Sequence, residues 1–224
     1  MSPAPVRRPG AVVFDLDGVL VDSIAVMRAA FQHAYGLTVG PGPAPFEDYL
    51  PHLGRHMPHT LELMGLPQEM YEPFVVYSRA HVHEVPVQAG AAELLTGLRA
   101  RGVRLGVATG KTHERACQVL EATGLLPLLD DVAGSDEVEH GKPAPDLVRL
   151  AVRRLGLTAD DVVMVGDSPL DLEAGRRAGT RVVAALWGQG TREHMLSERP
   201  DFTASSCADL AALLARLLAV QPGS

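Results

Sequence analysis

An apolar run that stops abruptly at two acids constrains this chain more than any other stretch. Val12-Val13-Phe14-Asp15-Leu16-Asp17-Gly18-Val19-Leu20 combines β-branched and aromatic residues with a Gly near its end, the pattern of a strand buried on both faces of a parallel sheet. The C-terminal end of such a strand meets solvent, so Asp15 and Asp17 are expected to line a crevice. Side chains at i and i+2 point the same way, and a chain leaving at Gly18 is free to turn Asp17 over the place that Asp15 faces. Two carboxylates in one site repel each other and call for a cation, a basic partner or a raised pKa. A turn with exposed acids is the ordinary reading of an isolated D-x-D. An EF-hand loop would need ligands continuing past the Gly and a closing Glu, whereas Val19-Leu20-Val21 follow here.

The rest of the chain divides by texture. From residue 23 to 34 the apolar positions Ile24, Met27, Ala30 and Phe31 follow helical spacing. Gly/Pro-rich breaks fill 36–51, and helical patterns recur around 56–64 and 67–83. No strand alternation shows before Pro86. From Ala89 onward strands and helices alternate: helices over 91–101, 112–123, 145–155, 169–178 and 208–219, with Ser206 as a cap for the last, and strands over 103–108, 131–134, 161–166 and 181–186. This pattern predicts a doubly wound, Rossmann-like parallel α/β core (1–19 and 87–224) with an inserted helical cap (20–86), its crossings near 19–21 and 84–87. The tails, 1–10 and 221–224, are predicted to fray.

Composition narrows the partners. The 224 residues carry 20 Lys and Arg against 27 Asp and Glu, a net charge of −7, which argues against a nucleic-acid surface and favours a small molecule. There is no long apolar span for a membrane and no secretory segment, and the only cysteines are Cys117 and Cys207, so a reduced, cytoplasmic setting is expected. Monomer and homodimer both remain open.

Later strand ends add polar residues to the expected crevice. Thr109-Gly110 offers a hydroxyl and free backbone N–H groups, a phosphate-binding arrangement that a plain turn or N-cap also explains. Lys142, in Gly141-Lys142-Pro143-Ala144-Pro145, sits between turn residues, where a solvated lysine is the ordinary alternative. Gly166-Asp167-Ser168-Pro169-Leu170-Asp171 sets Asp167 past a buried strand and Asp171 one helical turn on. Carboxylates so spaced can hold a hard cation, although an acid in a helix's first turn also answers the macrodipole. His52, His56 and His59 have Pro58 among them and no completing carboxylate. Gly188-x-Gly190 lacks the strand-to-helix fingerprint of a dinucleotide site, and Cys117 reads as packing.

The stretch Asp15-Leu-Asp-Gly-Val-Leu-Val-Asp22-Ser23 resembles motif I of the haloacid dehalogenase superfamily, and Thr109-Gly110, Lys142 and Asp167 through Asp171 resemble motifs II, III and IV in order. The resemblance implies a nucleophilic Asp15 and Asp17 as acid and then base. Thr109 and Gly110 would hold phosphoryl oxygens and Lys142 would neutralise charge. Mg²⁺ would be bound by Asp15, the Asp17 carbonyl and Asp167, with Asp171 and Ser168 supporting. The second Asp, which dehalogenating relatives lack, implies phosphoryl transfer.

The layout resembles the superfamily's C1-capped branch of phosphoglycolate phosphatases, related small phosphatases and β-phosphoglucomutases. His52-Leu-Gly-Arg55 and Met64-Gly-Leu-Pro67 resemble the phosphatases associated with 3-amino-5-hydroxybenzoate synthesis, which implies a phosphorylated aminosugar-like substrate. Arg55 is expected to recognise the substrate's non-reacting end. A mutase-type phosphotransferase and a catalytically silent binding protein are the alternatives.

Overall fold

A computed structural model describes residues 9–219, so most of the tails predicted to fray lie outside the described residues. Gly10 corrects that expectation: its N–H donates to the Asp161 carbonyl at 2.7 Å and its carbonyl accepts from Arg104 N–H at 3.0 Å. Hydrogen bonding along the central strand thus begins just before the apolar run.

Strands β1 (Ala11–Phe14), β2 (Arg104–Ala108), β3 (Asp131–Ala133), β4 (Val162–Gly166), β5 (Arg181–Ala185) and β6 (Phe202–Ala204) form one six-stranded sheet in the order β3-β2-β1-β4-β5-β6, parallel throughout. The first five stand where alternation placed them. The sixth escaped the sequence reading because three residues at a sheet edge carry too short a pattern to show a period.

Helices α1 (Ile24–Thr38), α2 (Phe46–Tyr49), α3 (Met57–Leu63) and α4 (Tyr71–Ala80) lie between β1 and the rest of the sheet. They bury an apolar cluster of their own, in which Phe31, Met70, Leu61 and Phe74 are at most 2% exposed. Phe31 meets Phe46 edge-on and lies against Tyr49, with ring centroids 5.7 and 5.0 Å away. The two chain crossings run side by side: Asp22 N–H donates to the Pro86 carbonyl at 3.0 Å and Gln88 N–H to the Leu20 carbonyl at 2.9 Å.

The remaining helices, α5 (Ala91–Arg99), α6 (His113–Ala122), α7 (Asp146–Arg154), α8 (Pro169–Ala178), α9 (Arg192–Ser197) and α10 (Cys207–Ala219), include α9, a six-residue element that sequence periodicity did not reveal. Successive strand residues face opposite ways, so Val12, Phe14, Val163 and Val165 pack with the leucines of α5 and α10. Val13, Val162 and Met164 pack with Leu147 and Leu172 from α7 and α8. Both faces of the sheet are therefore covered, as a parallel sheet requires. Ser206 caps α10 by accepting from Asp209 N–H at 3.1 Å.

Candidate active site

The strand order reverses at β1, whose neighbours are β2 on one side and β4 on the other, and the crevice of a doubly wound sheet lies at such a reversal. Phe14 is level with Val107 and with Val165. Asp15, Thr109 and Asp167 consequently leave three adjacent strands at nearly the same height.

Asp15 is 3% exposed, and its N–H extends the ladder to the Val165 carbonyl at 2.9 Å. Lys142, from the loop before α7, is 1% exposed. Its Nζ donates to Asp15 Oδ1 at 2.7 Å, Asp171 Oδ1 at 2.6 Å and the Ala108 carbonyl at 3.2 Å. Three acceptors compensate a fully desolvated ammonium, and although burial pulls Lys142 down, Asp15 and Asp171 outweigh it and hold it above the usual lysine range. Burial, with Asp171 and Asp17 adding to it, pushes Asp15 up to about 7 against the pull of Lys142. Asp167 is raised well above the usual range by burial and by Asp171 and Asp15.

The Asp15, Asp167 and Asp171 carboxylates bring one oxygen each within 4.8 Å of one another. Three acids facing one ammonium leave two negative charges uncompensated in a dry site, a balance that suits a hard divalent cation. Asp171 is already engaged: Oδ1 lies on Lys142, and Oδ2 accepts from Ser168 N–H at 3.1 Å and Ser168 Oγ at 2.5 Å. Ser168 in turn caps α8 by accepting from Asp171 N–H at 3.3 Å. Asp15 and Asp167 are thus the better placed ligands, and Asp171 orients Lys142. A Cβ on Gly18 or Gly188 would collide with the Asp167 carboxylate, and Gly18 adopts φ +80° besides. Gly188 therefore belongs to the cradle of Asp167, the use of that glycine pair that its sequence context concealed.

Asp17 shares the cavity but has a lysine of its own. Lys111 Nζ donates to Asp17 Oδ2 at 2.6 Å, and Ser23 Oγ donates to Asp17 Oδ1. Burial pushes Asp17 up, but Lys111 and Ser23 outweigh it and hold the carboxyl below its usual range. Burial lowers Lys111, which Asp17 in part restores. The contact is a charged pair, so each acid of the D-x-D motif has its own ammonium. Sequence reasoning missed Lys111 because a lysine at the start of a helix looks solvated; its one signal was adjacency to Thr109-Gly110.

Thr109 is 1% exposed, and its Oγ1 accepts from Lys111 N–H at 3.3 Å, which leaves the hydroxyl proton free to donate. A Cβ on Gly110 would strike the carbonyls of Gly54 and Arg55, and one on Gly54 would lie 3.6 Å from Lys142 Nζ. The 54–55 turn therefore closes directly over the reacting groups. A cavity of about 350 Å³ remains, with Asp15, Asp17 and Asp167 at its floor. Arg55 does not line it. Arg55 lines a recess of about 20 Å³ with Asp17, Lys111 and Arg115, and its Nε is buried without a hydrogen-bond partner.

Strand order and the gathering of charge at its reversal define a candidate active site on a parallel α/β fold. A model of the haloacid dehalogenase-like hydrolases matches residues 12–185, and the chain belongs to that family. It is 32% identical over 209 residues to the pyrophosphatase PpaX of Bacillus velezensis, covering 91% of this chain and 95% of that one. Its fold is similar to that of a hydrolase from Pseudomonas syringae (TM-score 0.83, 24% identity, 92% and 98% of the two chains). It is similar also to CbbY from Rhodobacter sphaeroides in complex with phosphate (TM-score 0.80, 24% identity, 90% and 96%). No helix of the described residues is long and apolar enough to cross a membrane.

Proposed function

We propose that the protein is a Mg²⁺-dependent phosphatase that hydrolyses a small phosphorylated metabolite through an aspartyl-phosphate on Asp15. The observation that carries this reading is the separation of the two acids: Asp15 is held by Lys142 at 2.7 Å and Asp17 by Lys111 at 2.6 Å. That separation supports a reading in which one acid attacks and the other moves a proton. Motif IV reads Gly-Asp-x-x-x-Asp over 166–171, without the Glu-Asp pair of the mutases it resembles, which favours water as the final acceptor.

In this reading Asp15 attacks phosphorus while Asp17 delivers a proton to the departing oxygen. Asp17 then takes a proton from the water that cleaves the acyl phosphate. The Thr109 hydroxyl and Gly110 N–H hold phosphoryl oxygens, and Lys142 orients Asp15 and favours its ionised form. Asp15, the Asp17 carbonyl and Asp167 would hold Mg²⁺, which supplies charge neutralisation for an anionic substrate when bound. The helical segment 20–86 serves as a lid that excludes water. The finer reading, a phosphorylated aminosugar-like substrate, rests on the 52–55 and 64–67 resemblance; a cytoplasmic setting rests on composition and on two free cysteines.

Phosphate release from an aryl phosphate tests the activity. Chelation is expected to abolish it and Mg²⁺ to restore it; full activity after exhaustive chelation overturns the metal dependence. A hexose 1-phosphate followed by ³¹P NMR is expected to yield free phosphate, and accumulation of the 6-phosphate instead would establish the mutase.

A further inference from the structure

The walls of the 350 Å³ cavity carry a second message, about what leaves. Above its acidic floor the sides are Ile24, Met27, Leu50, Pro51 and Leu53. Its other charged wall residue is Glu47, which accepts from Arg28 at 2.7 Å. No Lys or Arg lines the cavity among the described residues. The two ammonium groups nearest the floor are already spent: Lys142 lies between Asp15 and Asp171, and Lys111 lies on Asp17. Arg55, Lys111 and Arg115 line a recess of about 20 Å³ beside the cavity, room for about one water molecule, and the cavity of about 610 Å³ that Arg55 lines with Lys142 and Arg177 shares no wall residue with this one. Resting on the phosphatase reading above, we infer that the physiological substrate is a phosphomonoester whose leaving alcohol carries no anionic group and lays an apolar face against Ile24, Leu50 and Leu53.

Volume and charge both support this class. A cavity near the lower limit of ligand pockets admits a phosphoryl group and about one ring. A carboxylate or second phosphate on the leaving group would be desolvated beside Glu47 with no Lys or Arg on the wall to meet it, so the pocket discriminates by repulsion as well as by fit. Gln189, Thr191 and His194, also on the wall, offer hydrogen bonds to a hydroxyl or amine. Pyrophosphate and phosphoglycolate fall outside the class.

The test compares kcat/KM of the Mg²⁺-loaded enzyme for benzyl phosphate, phosphoglycolate and pyrophosphate. Benzyl phosphate is expected to exceed both anionic substrates by at least about tenfold, an order-of-magnitude figure for like-charge discrimination. Equal or greater activity on either anionic compound overturns the inference and leaves the phosphatase reading intact, whereas no phosphate release from any of the three overturns both. Leu50→Arg, at a partly exposed wall position, supplies the missing cation. The ratio of phosphoglycolate to benzyl phosphate activity is expected to rise about fivefold or more, a readout that loss of stability does not move. An unchanged ratio means that the leaving group does not meet this wall, and the inference fails.

Discussion

Lys111 Nζ lies 2.6 Å from Asp17 Oδ2, although the two residues are 94 positions apart in the chain. The pair favours the charged form of the second acid of the motif, so an arriving phosphoryl dianion competes with Asp17 for Lys111. Lys111→Met removes that hold. The Asp17 carboxyl is then expected to climb, as a buried acid does on losing an opposite charge. In the proposed mechanism release of the alcohol needs Asp17 protonated, so the alkaline limb of the kcat/KM profile should move upward with it. A limb that does not move would detach Lys111 from the proton on Asp17.

Asp15→Asn keeps the shape of the proposed nucleophile and abolishes its charge. Turnover is expected to fall by at least about 10³-fold. The fold should persist, since the amide oxygen still accepts from Lys142 and one of three crowded acids is gone. Thermal unfolding is expected at the wild-type Tm or a few degrees above it, by roughly the shift that about 1 kcal/mol produces. Wild-type activity would end the covalent mechanism; a large drop in Tm would mean that the acid serves the fold.

Stability of the metal-free protein should fall as pH rises through neutrality. Asp15 is pushed up to about 7, so the folded state binds its proton more tightly than the unfolded chain does. Stability from this source is complete below the unfolded value of about 4, and it is lost as pH climbs to about 7. The raised Asp167 acts in the same direction. Mg²⁺ replaces those protons, so it is expected to raise Tm more at pH 8 than at pH 5. Calorimetry at the two pH values, with and without the ion, decides it, and an equal gain at both would count against Asp15 and Asp167 as ligands.

Gly188→Ala places a methyl group against the Asp167 carboxylate. The Mg²⁺ concentration for half-maximal activity is expected to rise about 10- to 100-fold, the usual effect of disturbing the support of a metal ligand. Activity at saturating Mg²⁺ should largely recover. An unchanged requirement would show that Asp167 tolerates displacement.

The sequence alone was enough to order the elements from β1 to β5 and to place Asp15, Thr109 and Asp167 at strand ends, because both are local properties: an apolar run reads as a buried strand, and the polar residue that ends it must lie at the sheet's edge. It also marked Lys142 by the turn residues around it. Partnership was beyond it. Whether Lys142 serves Asp15, whether Asp171 meets an ion or a lysine, and which cation balances Asp17 depend on loops from separate strands converging at the reversal of the sheet, and on contacts over distances of 29 to 127 positions. The short β6 and α9 were invisible for a related reason: neither is long enough to show a period, and each is held by tertiary contacts, β6 by pairing with β5 and α9 by the buried Met195. Within 20–86, periodicity revealed α1, α3 and α4 but not the four-residue α2 inside the stretch of Gly/Pro-rich breaks, nor the bearing of these helices on the sheet. The place of Gly54 above Lys142 and the absence of Arg55 from the cavity wall are set by how one apolar cluster seats on another, which only the tertiary structure decides.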